Sequence, residues 1–273
     1  MIPVAFITEW RSRAPWPEDA QVEQDLLLSR VLVEIFSDDA LGAALAFRGG
    51  TALNKLHLDE PSRYSEDIDL VQLVPGPIGD IINPLQSLLR DLLGEASVSI
   101  RDSSTRLTYR VESEIEPVVP LRLKIEIDTR EHDPVVGLVK VPFAVRSGWF
   151  AGSATVPTYP LNELMGSKLR ALHQRRKGRD LFDLWLVTDQ EMIDPGEVVR
   201  CFLAYIARQG LTISRAEFEE SLYRKMEDSR FLGDVKPLLR DEHRFEPEAA
   251  FRLVKRELIA RIPGDPWRGA PEG

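Results

Sequence analysis

A chain of 273 residues has room for one large domain or two modest ones, and its 43% apolar and 29% charged residues are those of an ordinary globular protein. A formal net charge of −9 argues against a protein that coats nucleic acid indiscriminately, so a nucleic-acid substrate has to be held by a local basic patch. No apolar run approaches the ~20 residues of a membrane-spanning helix, and Cys201, standing alone, excludes an internal disulfide and a cysteine zinc cage. Met1 to Phe6 has neither the basic nor the long apolar region of a signal peptide, so the expected location is cytoplasmic.

Residues 1–18 show no regular period, with Trp10, Pro15, Trp16 and Pro17 crowded together. Gln21 to Phe36 is the first predicted helix. Val22, Leu26, Val33 and Phe36 recur at helical spacing, and Leu28, Val31 and Leu32 widen the stripe to that of a packed helix. Leu45-Ala46-Phe47 then approaches the pair Gly49-Gly50, followed by Thr51 and a helix-compatible segment from Ala52 to Leu58. Asp67-Ile68-Asp69-Leu70-Val71 alternates as a strand does, which puts both aspartates on one face.

Ile81 to Leu93 reads as a helix stopped by Gly94, and Ser97 to Ile100 and Thr105 to Val111 as strands. Leu121 to Asp128 is the cleanest alternation, with Leu121, Leu123, Ile125 and Ile127 on one face and Arg122, Lys124, Glu126 and Asp128 on the other. Val139 to Val145 is a further strand, and Thr155 to Pro160 leads into a helical region. There Leu161 to His173 is periodic, and the spacings Asp194 to Glu197 and Ser214 to Glu217 suit capping boxes. Glu246 to Ile262 reads as one last long helix, and the Pro- and Gly-rich residues 263–273 as a frayed tail. Strands come first and helices last. The predicted fold is α+β, a mixed sheet flanked by helices over residues 1–159 and an all-helical domain over residues 160–262.

Four constellations could carry chemistry. A glycine turn feeding a helix suits phosphate, and an adjacent carboxylate pair suits Mg²⁺, so Gly49, Gly50, Thr51, Asp67 and Asp69 form a candidate site for a nucleoside triphosphate and its metal ions. As plain structure, the same residues are a tight turn and an edge strand. Glu126 is the candidate third carboxylate, with Asp128 in reserve, set against a solvated face of ion pairs. Lys168 falls near the centre of an apolar helix stripe, where it either snorkels or reaches into a cleft to neutralise triphosphate charge. Arg175, Arg176, Lys177 and Arg179 form either a solvated helix end or a phosphate-contacting patch for RNA. Asp180 lies next to the apolar face of its helix and is the better site candidate, whereas Asp183 is assigned to a surface or inter-helix ion pair. His57, His132, His173 and His243 have no metal-ligand spacing, and there is no Walker loop or G-x-S-x-G elbow.

The segments Arg48-Gly49-Gly50-Thr51-Ala52-Leu53 with Lys55, Arg63 to Leu70, Lys168-Leu169-Arg170-Ala171 and Lys177 to Leu184 together resemble the AbiEii/AbiGii-type nucleotidyltransferase toxins. These belong to the DNA polymerase β-like nucleotidyltransferase superfamily, and the resemblance covers roughly Gln21 to Leu186. It implies a polymerase β-like core with a C-terminal helical domain. It also implies Mg²⁺, two ions, on Asp67 and Asp69 with Glu126, a triphosphate held by Gly49, Gly50 and Thr51, and a need for Lys168 and Asp180 in activity. Thr51 stands where the superfamily usually has serine. Family members are toxins of two-gene toxin–antitoxin modules used in phage defence, and some add nucleotides to the 3′ end of tRNA. The expected activity is therefore Mg²⁺-dependent transfer of NMP from an NTP to RNA, the tRNA 3′ end foremost, with an antitoxin encoded by a neighbouring gene. Its rivals are transfer to a protein or small-molecule hydroxyl, and a non-catalytic NTP- or RNA-binding growth inhibitor.

Overall fold

Pro3 precedes the first helix, α1 (Val4–Trp10), where sequence periodicity gave no element; only its Ile7 and Trp10 are buried, too short a stripe to register. The computed structural model describes residues 2–240 and 245–269. Helix α2 (Asp19–Ser37) opens with a capping box between Glu18 and Gln21 and is buried on nearly every side. Polar residues of α2 therefore need partners inside. Gln24 donates to the Arg122 carbonyl at 2.9 Å, and the Asp25 carboxylate accepts from the indoles of Trp10 (2.8 Å) and Trp16 (3.2 Å) and from Lys55 (2.7 Å).

Asp38 caps α3 (Asp39–Ala44) and leads to β1 (Leu45–Arg48). The segment expected as one helix from Ala52 is a short α4 (Gly49–Ala52) running into a π-turn, Leu53–His57. After β2 (Asp67–Gln72) comes α5 (Gly79–Leu93), ended by Gly94 at φ 74°. The remaining strands are β3 (Ser97–Ile100), β4 (Ser104–Glu112), β5 (Pro120–Asp128), β6 (Val139–Arg146) and β7 (Ala151–Thr158). Strand β7 begins before the segment read as a lead-in; Gly152, Ser153 and Pro157 weakened its strand signal.

These strands form one mixed sheet in the order β3-β4-β5-β2-β1-β7-β6. Strand β2 is parallel to β5 and β1 to β7, while the other pairs are antiparallel. The buried face carries Leu121, Leu123, Ile125 and Ile127 of β5, and α2 and α5 pack on the sheet. Each such side chain contributes about 1.5–3 kcal/mol. A slip of one residue would bury Arg122, Lys124 and Glu126 instead, which locks the register.

This sheet lies in one compact unit, Met1–Tyr159, and the later helices form a second, Pro160–Gly273. They are α6 (Leu161–Gln174), α7 (Gly178–Asp189), α8 (Pro195–Arg208), α9 (Arg215–Met226), α10 (Ser229–Gly233) and α11 (Pro247–Glu257). Asp194 caps α8 through Gly196 and Glu197, without the return bond of a full capping box, whereas Ser214 and Glu217 make both halves of one. The expected long last helix stops at Glu257 and continues as a 3₁₀ turn, Ile259–Arg261. The expected fraying does not begin at residue 263, because Trp267 stacks near Tyr223 and donates its backbone N–H to Glu219. His243 and residues 270–273 lie outside the described residues.

Candidate active site

Strand β1 delivers the chain to the glycine pair, and each glycine is required for a different reason. Gly49 sits at φ +83°, and a Cβ there would strike the Asp69 carboxylate, so its backbone lies directly against that side chain. A Cβ on Gly50 would strike the guanidinium of the buried Arg63. The Thr51 hydroxyl donates to the Asp67 carbonyl at 2.5 Å and lies 2.8 Å from the Ser65 hydroxyl, which clips the turn to the start of β2. Asn54 holds the other side, donating to the Gly50 carbonyl and accepting from the Ser62 backbone and hydroxyl.

Pairing across the sheet brings the carboxylates together. Asp69 is in register with Arg48 on β1 and with Glu126 on β5, and Glu126 with Arg106 on β4. Asp67 is in register with Lys124. Paired residues share a face, so Asp67, Asp69 and Glu126 stand on the same side of the sheet, opposite the apolar layer.

Each carboxylate is balanced differently. Asp67 accepts from Lys124 at 3.1 Å, and Glu66 lies 3.7 Å from the same ammonium. Glu126 takes Arg106 at 2.6 and 3.1 Å and the Ser104 hydroxyl at 3.0 Å. Burial pushes the Glu126 carboxyl up, but the Arg106 and Ser104 hydrogen bonds and the Arg106 charge outweigh it and hold it below the usual range. Asp128 is used for structure: it accepts from Arg48 at 2.8 Å and from the backbone N–H groups of Arg130 and Glu131.

Among the described residues no group of three or more His, Cys, Asp or Glu side chains could hold a metal ion. The adjacent Asp67 and Asp69 still suit Mg²⁺, which is ordinarily bound through one or two carboxylates, with water and substrate phosphates completing its shell. The missing Cβ of Gly49 lets the Asp69 carboxylate lie against the turn, which sets one carboxylate of the pair beside the glycine backbone.

In the helical unit the expected residues form a buried brace. Lys168, 6% exposed, donates to Asp180 at 3.1 Å and pairs with Asp183 at 2.9 Å, both aspartates being fully buried. Arg175 adds two bonds to Asp180 at 2.7 and 2.8 Å. Burial opposes ionisation of Asp180, but Lys168 and Arg175 win and its pKa falls to about 2. Of the two readings of Asp183, the inter-helix ion pair is the one found: it meets Lys168 of α6, and it does so buried, since α7 is enclosed on nearly all sides. The cations read as an RNA patch also have acidic neighbours: Arg176 lies 3.8 Å from Asp228, and Lys177 and Arg179 lie 3.4 and 3.9 Å from Asp234.

Sequence reasoning passed over Lys124 and Arg106 as site residues. Their signal was present, since both alternate onto the polar face of their strands, but only the β4–β5–β2 register reveals their partners.

A family model described as "Nucleotidyl transferase AbiEii toxin, Type IV TA system" matches residues 30–255. The fold is similar to MenT4, a nucleotidyltransferase toxin from Mycobacterium tuberculosis H37Rv, at 16% identity and a TM-score of 0.62, covering 96% of this chain and 91% of that one. It is also similar to JHP933 from Helicobacter pylori, at 19% identity and a TM-score of 0.55, covering 89% and 91%. No curated protein sequence matches the chain.

Proposed function

The chain belongs to the AbiEii nucleotidyl transferase toxin family and is a nucleotidyltransferase; from that premise we propose that it transfers NMP from an NTP to RNA in a Mg²⁺-dependent reaction, with the tRNA 3′ end as acceptor. In this reading it is the toxin of a two-gene phage-defence module whose neighbouring gene encodes the antitoxin. The observation that carries the catalytic part is the packing of Gly49 against Asp69, on a rung of the sheet shared with Glu126.

Asp67 and Asp69 would hold the metal, which supplies positive charge to the triphosphate and lowers the pKa of an attacking hydroxyl. The Gly49-Gly50 backbone takes the triphosphate, with Thr51 fixing the turn to β2. The acceptor oxygen bonds to the α-phosphorus, the bond to the β-phosphate oxygen breaks, and pyrophosphate leaves. Glu126, ionised and aimed by Arg106 and Ser104, receives the hydroxyl proton. Lys168 and Asp180 serve activity through the fold of the helical unit, their charges being committed to one another.

Incubating the purified chain with Mg²⁺, each α-labelled NTP and total RNA should place label in RNA of tRNA size. Label on protein or a small molecule would replace the acceptor; no label with any NTP would remove the catalytic reading.

A further inference from the structure

The open face of strands β4 and β5 carries a feature that folding does not explain. Its rungs run Ser104–Asp128, Arg106–Glu126, Thr108–Lys124 and Arg110–Arg122. Arg106 is matched by Glu126 and Lys124 by Asp67. Arg110 and Arg122 are directly opposite each other, both exposed, and neither guanidinium has an ion-pair partner among the described residues. Like charges directly opposite on a sheet are destabilising. The β2–β5 pairing begins at Asp67 and Lys124, so no residue of β2 is paired beside Arg122 to relieve it. Glu112, exposed on the next rung and facing Pro120, is the acidic side chain that follows.

Same-face residues on a strand recur about every 6.6 Å, which puts the Arg110–Arg122 rung ~13 Å from the Asp69–Glu126 rung. That is the length of about four stacked nucleotides of one strand. We propose that the Arg110–Arg122 rung is the phosphate-binding track for the acceptor RNA, guiding its 3′ end along β4 and β5 toward Asp67 and Asp69. The inference rests on the nucleotidyltransfer reading above and moves the RNA contact from the Arg175–Arg179 run to the sheet. In a chain of net charge −9, two adjacent unmatched guanidinium groups on the face of the carboxylates are the local basic patch that a polyanion requires.

The test uses the full chain, a fluorescein-labelled tRNA transcript and fluorescence anisotropy from 50 to 200 mM salt, with binding of a fluorescent ATP analogue in Mg²⁺ measured in parallel. The double variant Arg110→Ala/Arg122→Ala should bind the transcript about tenfold more weakly, and its salt slope should fall by about 1.4, the contribution of two phosphate contacts to a single strand. Its nucleotide binding should be unchanged and its melting temperature equal or higher, because a repulsion is removed. Arg176→Ala/Lys177→Ala should lose less. Unchanged affinity and slope in the first variant, or a larger loss in the second, would overturn the track and leave the catalytic reading intact. A wild-type chain that binds the nucleotide but no transcript overturns the track together with the RNA acceptor. One that binds neither this analogue nor the fluorescent analogues of CTP, GTP and UTP overturns the reading beneath it.

Discussion

Asp67 with Asp69 and Asp180 with Asp183 are two closely spaced aspartate pairs, each with a lysine beside it, and they stand in opposite environments. The second pair is fully buried, is met by Lys168 and Arg175, and lies among the apolar residues of α6 and α7. The first pair stands half-buried on the open sheet face, with Lys124 on Asp67 and the Asp69 carboxylate packed against Gly49. A buried carboxylate must be neutralised locally, because its charge cannot be left unpaired in a low dielectric. A half-buried one, as Asp67 is beside Lys124, stays in reach of solvent and of a ligand. The same side chain braces the helical unit, and in the sheet it is the one proposed to meet a ligand.

The sharpest way to break this contrast is in the helical unit. Lys168→Met leaves Asp180 and Asp183 without their shared ammonium, and its cost should be about 3–5 kcal/mol in denaturant unfolding. A variant of native stability that has lost activity would instead make Lys168 a chemical participant.

Acid should separate the pairs next. The Asp180 pKa is about 2 in the folded chain, against about 3.9 when unfolded. Its contribution is therefore complete above about pH 4 and is lost as pH falls toward 2, a loss on the order of 2–3 kcal/mol. Asp180→Asn should lack that part of the acid-induced loss, which pH-dependent melting curves of the two chains would reveal. Identical curves would mean that Asp180 is not held ionised by Lys168 and Arg175.

Much of this contrast was written in local sequence, and part of it was not. The alternation of Leu121 to Asp128 and the Asp67-Ile68-Asp69 strand follow from side-chain period alone, and the structure has strands there. What places Lys124 on Asp67 and Glu126 beside Asp69 is pairing between strands more than 50 residues apart, which no local pattern encodes. Burial of Asp183 was hidden for a related reason. A helical wheel distinguishes an apolar face from a polar one only when one face meets water, and α7 is enclosed on nearly all sides. Strand β7 escaped because glycine, serine and proline carry little strand signal, even though it pairs with both β1 and β6.

We propose that Asp67 and Asp69 perform the chemistry and do not hold up the fold. Asp67→Asn, compared with the wild-type chain for incorporation of α-labelled nucleotide and for thermal melting in the same buffer, tests it most directly. The expected result is a loss of incorporation of about 10³-fold or more, with stability changed by no more than about 1 kcal/mol, since the lost Lys124 pair is partly exposed. Incorporation at the wild-type rate by a folded Asp67→Asn chain would show that this carboxylate takes no part in the transfer.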